Sequence, residues 1–149
     1  MTTQDPCAEL LLDNQLCFAL YSTSLLLTKV YKPLLQELGL TYPQYLAMMV
    51  LWEGDGITVG DISSRLLTDP GSVTPLLKRL EAEGLLKRTR SSVDERVVEL
   101  FLTDKGRDLR EQAKRIPSCI LTATQQSAAE LGALKAELVA LRSSLQQAV

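Results

Sequence analysis

From Pro70 to Gly106 the chain reads PGSVTPLLKRLEAEGLLKRTRSSVDERVVELFLTDKG, and this stretch decides the fold. Pro70 opens a helix, and Pro75 sits near its start, where a missing N–H costs least. Val73, Leu76, Leu77 and Leu80 fall at i, i+3, i+4 and i+7, which gives the helix one inward face. Gly84 ends it after Glu83, so the spacing predicts a helix over 70–83. Leu85 to Arg90 reads as a strand, Ser91 to Glu95 as a polar tip, and Arg96 to Leu102 as the returning strand. Thr103-Asp104-Lys105-Gly106 then starts another helix. Upstream, Asp61 to Leu67 is a shorter helix with Ile62, Leu66 and Leu67 on one face, followed by a turn at Thr68 to Gly71. Helix, turn, helix and basic hairpin together make a winged helix-turn-helix, and the expected fold is mostly α with a small β-wing.

The outward face of the 70–83 helix is small, polar and basic. Ser72, Thr74 and Pro75 are placed to approach base edges in a major groove, and Lys78 and Arg79 to take phosphates. On the hairpin, Lys87, Arg88, Arg90 and Arg96 add positive charge, with Arg96 near the tip suited to a narrow minor groove. Asp94, two residues before Arg96, is placed to brace it. The charge distribution agrees. Residues 1–64 carry 2 basic against 7 acidic side chains, whereas residues 65–110 carry 10 against 8. Positive charge is therefore gathered in the hairpin and its helix although the whole chain is at −2, which suits a specific reader of duplex DNA more than a non-specific coat.

At 149 residues the chain is expected to hold one domain with an extended appendage. Residues 39–102 are the winged helix-turn-helix region. Residues 1–38 and 103–149 are helical and are expected to form a dimerisation region. Leu10 to Leu38 reads as one long helix, apolar around most of its circumference, with a break or bend at Pro33. Tyr45 to Glu53 is the next helix, and Ile57-Thr58-Val59 a short extended piece. Asp104 to Gln126 reads as a long helix bent at Pro117. After it, Leu131, Leu134, Leu138, Leu141 and Leu145 are spaced 3, 4, 3, 4, a coiled-coil seam that needs a partner. With apolar surface in excess at both ends, the expected assembly is a homodimer on a palindromic duplex operator, its reading heads roughly 34 Å apart.

No basic start followed by an apolar stretch marks a signal peptide, and no run is long enough to span a membrane, so a cytoplasmic location is expected. Histidine is absent, which excludes Ser-His-Asp and Cys-His catalysis and most zinc sites. The expectation is a regulator that is not an enzyme and needs no metal or other cofactor. Three cysteines, Cys7, Cys17 and Cys119, are too widely spaced for a disulfide framework and read as cytosolic thiols.

The motifs Leu76-Leu77-Lys78-Arg79-Leu80-Glu81-x-x-Gly84-Leu85, Asp94-x-Arg96 and Leu102-Thr103-x-Lys105-Gly106 together resemble the MarR family of dimeric winged-helix regulators. LDNQLCFALY around Cys17 and LTYPQYLAMMVLWE around Tyr42 are similar to the organic hydroperoxide regulators within it. That resemblance implies that Cys17 is the peroxide-reactive thiol, that Tyr31 and Tyr42 donate hydrogen bonds to it, and that Cys119 of the other subunit closes a disulfide, as in the two-cysteine branch. Fourteen residues of straight helix rise roughly 21 Å, so Cys17 cannot reach Tyr31 of its own helix, and if the three groups meet, Tyr31 must come from the other subunit. An apolar lining from Phe18, Leu46, Met49 and Trp52 would admit organic hydroperoxides more readily than hydrogen peroxide. Cys7 has no assigned role. The competing reading is a regulator of the same fold controlled by a small phenolic or drug-like ligand, with bystander cysteines. A thiol peroxidase is disfavoured by the absence of a C-x-x-C unit.

Overall fold

The computed structural model describes residues 7–149; residues 1–6, the start of the expected dimerisation region, lie outside the described residues. The chain forms two compact units, one ending at Ala113 and the other Lys114–Val149. The first unit holds helices α1 (Leu16–Gln36), α2 (Tyr42–Glu53), α3 (Val59–Arg65), α4 (Pro70–Ala82) and α5 (Asp104–Ala113), and strands β1 (Ile57–Thr58), β2 (Leu86–Arg90) and β3 (Val98–Leu102). The second holds α6 (Ile116–Thr124) and α7 (Ala128–Ala148). No helix among the described residues is long and apolar enough to cross a membrane.

Helix starts follow side-chain caps that hydrophobic periodicity does not reveal. α2 begins at Tyr42, earlier than the expected Tyr45, because Thr41 and Gln44 exchange hydrogen bonds in a capping box. α3 begins at Val59 because Thr58 is its cap and Asp61, expected to open the helix, reaches back from the third position. It closes at Arg65, not Leu67, whose φ of 58° is left-handed. α4 starts at Pro70 under the Asp69 cap, whose carboxylate accepts from the Ser72 N–H at 2.9 Å. At its far end Gly84 takes φ 77°, while the Leu85 N–H reaches the Leu80 carbonyl and the Gly84 N–H reaches Glu81. This is a Schellman stop that only glycine adopts without strain.

The expected long first helix is shorter at both ends. Two 3-10 turns, Ala8–Leu10 and Leu12–Asn14, precede it, because Asn14 and Gln15 side-chain amides donate to the carbonyls of Ala8, Glu9 and Leu11. From Leu16 the helix passes Pro33 and stops at Gln36, so no break falls at the proline itself. The expected 104–126 helix is two helices, α5 and α6. Pro117 has no N–H to offer the carbonyl four residues back, that of Ala113, which is where α5 ends.

β1, β3 and β2 form an antiparallel sheet in that order, with Ile57 opposite Leu100 and Leu86 opposite Leu102. The short extended piece at 57–58 is thus the sheet's third strand. The returning strand begins at Val98, not Arg96, so Arg96 and Val97 belong to the tip. The cause is local: Asp94 captures the Arg96 N–H with its carboxylate and the Val97 N–H with its carbonyl, leaving neither for the ladder. Leu35, Met48, Leu51, Ile62, Leu77, Leu80, Leu86 and Leu100 are fully buried and form the core under sheet and helices.

The base of the wing is tied to the end of α4. Thr103 donates its hydroxyl to the Gly84 carbonyl at 2.6 Å, and Lys105 Nζ donates to the Glu83 carbonyl at 2.8 Å. Asp55 accepts from the Leu102 N–H and lies 3.7 Å from the Arg107 guanidinium. Along α1, by contrast, Leu16, Phe18, Leu20, Tyr21, Leu25, Leu26, Leu27 and Val30 are exposed, Tyr21 at 64% and Leu26 at 62%. On α7 Leu134, Leu138, Val139 and Leu145 are exposed in the same way. On each helix, taken by itself, this many exposed apolar side chains is more than a water-facing helix ordinarily shows.

Candidate nucleic-acid interface and thiol site

α4 presents Ser72, Pro75, Lys78 and Arg79 to solvent, with Thr74 half-buried. Thr74 lines a cleft of about 400 Å³ shared with Thr58, Arg88, Arg96 and Val98, between α4 and the wing. Arg79 lies on another side, bordering a recess with Gln36, Leu40 and Glu83. Lys87 and Arg90 are exposed on β2. Arg90 Nη1 donates to the Glu95 carbonyl at 2.8 Å, stiffening the tip. Arg88 differs from its neighbours: its Nε lies 3.0 Å from Glu81 Oε1 and its backbone N–H donates to Glu81 Oε2, so it joins wing to helix. These two bonds hold the Glu81 carboxyl below its usual range, the backbone N–H of Arg88 being the larger cause.

Arg96 stands out at the tip with its side chain 91% exposed, its Nε 3.2 Å from Asp94 Oδ1. An ion pair so open to water contributes little to stability. Its effect is to aim the guanidinium. Asp94 stays ionised because the Arg96 N–H, and then the Arg96 side chain, hold its carboxyl below the usual range.

The thiol elements are distributed over α1, α2 and α6. Cys17 is exposed, the second residue of α1, behind an N-cap (Gln15) that makes no side-chain cap bond. Tyr31 lies on the same unbroken helix, so roughly 21 Å of rise separates the two. Tyr31 packs on Tyr42 of α2, ring centroids 4.9 Å apart, and both rings meet Tyr45, at 6.0 and 6.4 Å. Tyr45 in turn meets the Trp52 ring edge-on at 6.4 Å, and the Trp52 indole N–H donates to the Gly106 carbonyl at 2.9 Å. The structure thus brings Tyr31 and Tyr42 together and does not bring Cys17 of the same chain to them. Leu46, Met49 and Trp52 are half-buried on α2, and Phe18 is exposed on α1. Cys119 is half-buried on α6, and Cys7 is exposed with its thiol 3.0 Å from a Glu9 carboxylate oxygen. Tyr45 and Glu81 were not singled out from sequence. α2 is apolar all round, so its pattern does not say which aromatic meets Tyr31, and a Glu late in a helix reads as a solvated charge.

Burial, and then the neighbouring Tyr42 and Tyr45, push the Tyr31 phenol up to about 12. Tyr31 is therefore a neutral hydrogen-bond donor throughout the physiological range. The sign for stability follows. A raised pKa favours the protonated folded state, so this contribution is intact below the ordinary phenol value near 10 and is lost as pH climbs toward 12. In an alkaline titration followed by ultraviolet absorbance, the last tyrosinate to form is expected to disappear in Tyr31→Phe. If that variant loses an ordinary step near pH 10 instead, the burial argument fails.

The family model for transcriptional regulators of the SarA/Rot type matches residues 29–113. The organic hydroperoxide resistance transcriptional regulator of Bacillus subtilis is 48% identical over 91% of this chain and 92% of its own. Among solved structures, reduced AbfR bound to DNA has a TM-score of 0.81 at 34% identity, covering 91% of this chain and 93% of that one. AbfR in its disulfide form has a TM-score of 0.64 at 35% identity over 91% and 90%. The winged helix, the sheet order and these likenesses agree: the chain belongs to the MarR family of DNA-binding transcriptional regulators, of the organic hydroperoxide resistance type.

Proposed function

We propose that this protein is a homodimeric, thiol-based repressor that holds a palindromic operator when reduced and releases it on meeting an organic hydroperoxide. The observation that carries the reading is the Tyr31–Tyr42 pair, packed at one end of a continuous helix whose other end bears Cys17. Cys17 of the same chain lies roughly 21 Å along the helix from the two phenols gathered there. An antiparallel crossing of two α1 helices brings the partner's Cys17 beneath them and covers the exposed leucines of α1 at the same time. Sensing and dimerisation then share one surface.

The chemistry balances with the residues present. The Cys17 thiolate attacks the distal oxygen of ROOH, the O–O bond breaks, and RO⁻ leaves as the alcohol after taking a proton. The sulfenic acid is then attacked by the Cys119 thiol of the partner, an S–S bond forms, and water departs. A neutral Tyr31 serves as a donor to the anion, and the first turn of a helix is where negative charge is best tolerated. A disulfide needs Cα atoms within about 7 Å, so any larger separation in the reduced dimer must be closed by moving helices, and the DNA grip changes with them. On a non-reducing gel, organic hydroperoxide is expected to produce a dimer-sized band as operator binding falls. Cys119→Ser loses the band. A covalent dimer that still forms in Cys119→Ser would remove Cys119 from the scheme.

In this reading α4 lies in the major groove and the wing tip in the adjacent minor groove. Arg96→Ala is expected to weaken operator binding about tenfold, because an aimed guanidinium is lost from the tip. Lys78→Ala is expected to lower the slope of log K against log salt by about 1. Filter binding across a salt series measures both. Unchanged affinity in the first and an unchanged slope in the second would place the DNA elsewhere. Arg88 is committed to Glu81 and is expected to position the wing more than to touch phosphate.

A further inference from the structure

Two hydroxyls on the reading half of α4 have already given away their protons. Ser72 Oγ donates to Asp69 Oδ2 at 3.1 Å, and Thr74 Oγ1 donates to the Pro70 carbonyl at 3.0 Å. The direction of each bond is fixed by chemistry, because an ionised carboxylate and a carbonyl have no proton to give. Asp69 is ionised: the Ser72 backbone N–H, then its hydroxyl, hold the carboxyl below its usual range. Nearby Pro70 and Pro75 have no N–H. What Ser72 and Thr74 retain for a ligand is oxygen lone pairs.

The major groove presents both kinds of group. Adenine N6 and cytosine N4 are donors; guanine O6 and N7 and thymine O4 are acceptors. A lone pair set against another lone pair leaves two desolvated acceptors unsatisfied, which costs more than a missing contact. We propose that Ser72 and Thr74 act as acceptor-only specificity determinants, each selecting an operator position at which the exocyclic amino group of adenine or cytosine faces α4. The inference rests on the DNA-reading role of α4 given above. It adds a chemical polarity to that role: the basic side chains hold phosphates without regard to sequence, while these hydroxyls reject a keto group on the strand they face.

The test begins with selection of binding sites from a randomised duplex pool by the reduced full-length protein, Thr74→Val and Ser72→Ala. Positions at which a variant loses preference are then probed with base analogues in the selected site. Removing the exocyclic amino group, with purine for adenine or pyrimidin-2-one for cytosine, is expected to weaken the native protein about tenfold. The same replacement is expected to leave Thr74→Val at its already reduced affinity, and Thr74→Ser, which keeps the hydroxyl, restores the native sensitivity. Coupling of Thr74→Val to removal of N7, with a 7-deazapurine, overturns the inference while leaving DNA reading intact. So does an amino-group deletion that weakens native and variant proteins equally. A pool that yields no enriched sequence overturns the reading role of α4 itself, and this inference with it.

Discussion

Treated with an organic hydroperoxide, Cys17→Ser protein is expected to stay on its operator at a concentration where the native protein has left it. The native protein should lose about 100-fold in affinity on oxidation, within the usual range of coupling between two sites in one molecule. The serine variant should lose none, since its hydroxyl is not a nucleophile toward peroxide at neutral pH. Its unchallenged affinity should match that of the reduced native protein, because serine is close to cysteine in size and the position lies on α1, outside α4 and the wing. Electrophoretic mobility shift before and after oxidant measures both quantities. Normal release by Cys17→Ser would end the thiol mechanism, and the winged helix would remain a DNA reader under some other control. Tyr31→Phe sits between these extremes, since the thiol survives but loses a donor.

Gly106→Ala should be among the most damaging single substitutions in the protein, although it adds one methyl group. A Cβ at this position would fall on the Leu85 carbonyl oxygen, with the Leu102 side chain 3.2 Å away. Neither can withdraw. Leu85 follows the α4 stop, its carbonyl accepts from the Thr103 N–H, and Leu102 is paired in the sheet. The start of α5 must move, straining the bond that the Gly106 carbonyl accepts from Trp52 and the one that the Gly106 N–H donates to Thr103 Oγ1. Overpacking of a well-ordered site costs about 1–3 kcal/mol, and loss of a buried hydrogen bond adds about 1–3 more. A thermal midpoint lower by about 10 °C is expected for a chain of this size. A midpoint within a degree or two of native would mean that the α5 start slides freely past the wing.

The winged helix was legible because its punctuation is chemical. Gly84 is one of few residues able to take the left-handed stop, and the apolar spacing from Val73 to Leu80 matches the buried face of α4. Boundaries failed where a polar side chain had a second use. Asp61 opens the expected helix yet serves as the third residue of a capping box, and Asn14 with Gln15 consumes the carbonyls that a longer α1 would need. The tip was underestimated because Asp94 withholds Arg96 and Val97 from β3. Helical rise alone placed Cys17 out of reach of its own Tyr31. That Tyr31 and Tyr42 share a packed aromatic cluster with Tyr45 needed the fold, since α2 is apolar on every side.

The protein has a single tryptophan, and it stands between the tyrosine cluster and the start of α5. Trp52 meets the aromatic group that begins at Tyr31 through an edge-on contact with Tyr45, and its indole nitrogen is fastened to the Gly106 carbonyl where the wing meets α5. Indole emission depends on the polarity around the ring and on the bond made by its nitrogen. The molecule therefore carries its own optical gauge between the tyrosine cluster and the winged helix, and fluorescence can follow movement across that junction in unlabelled protein.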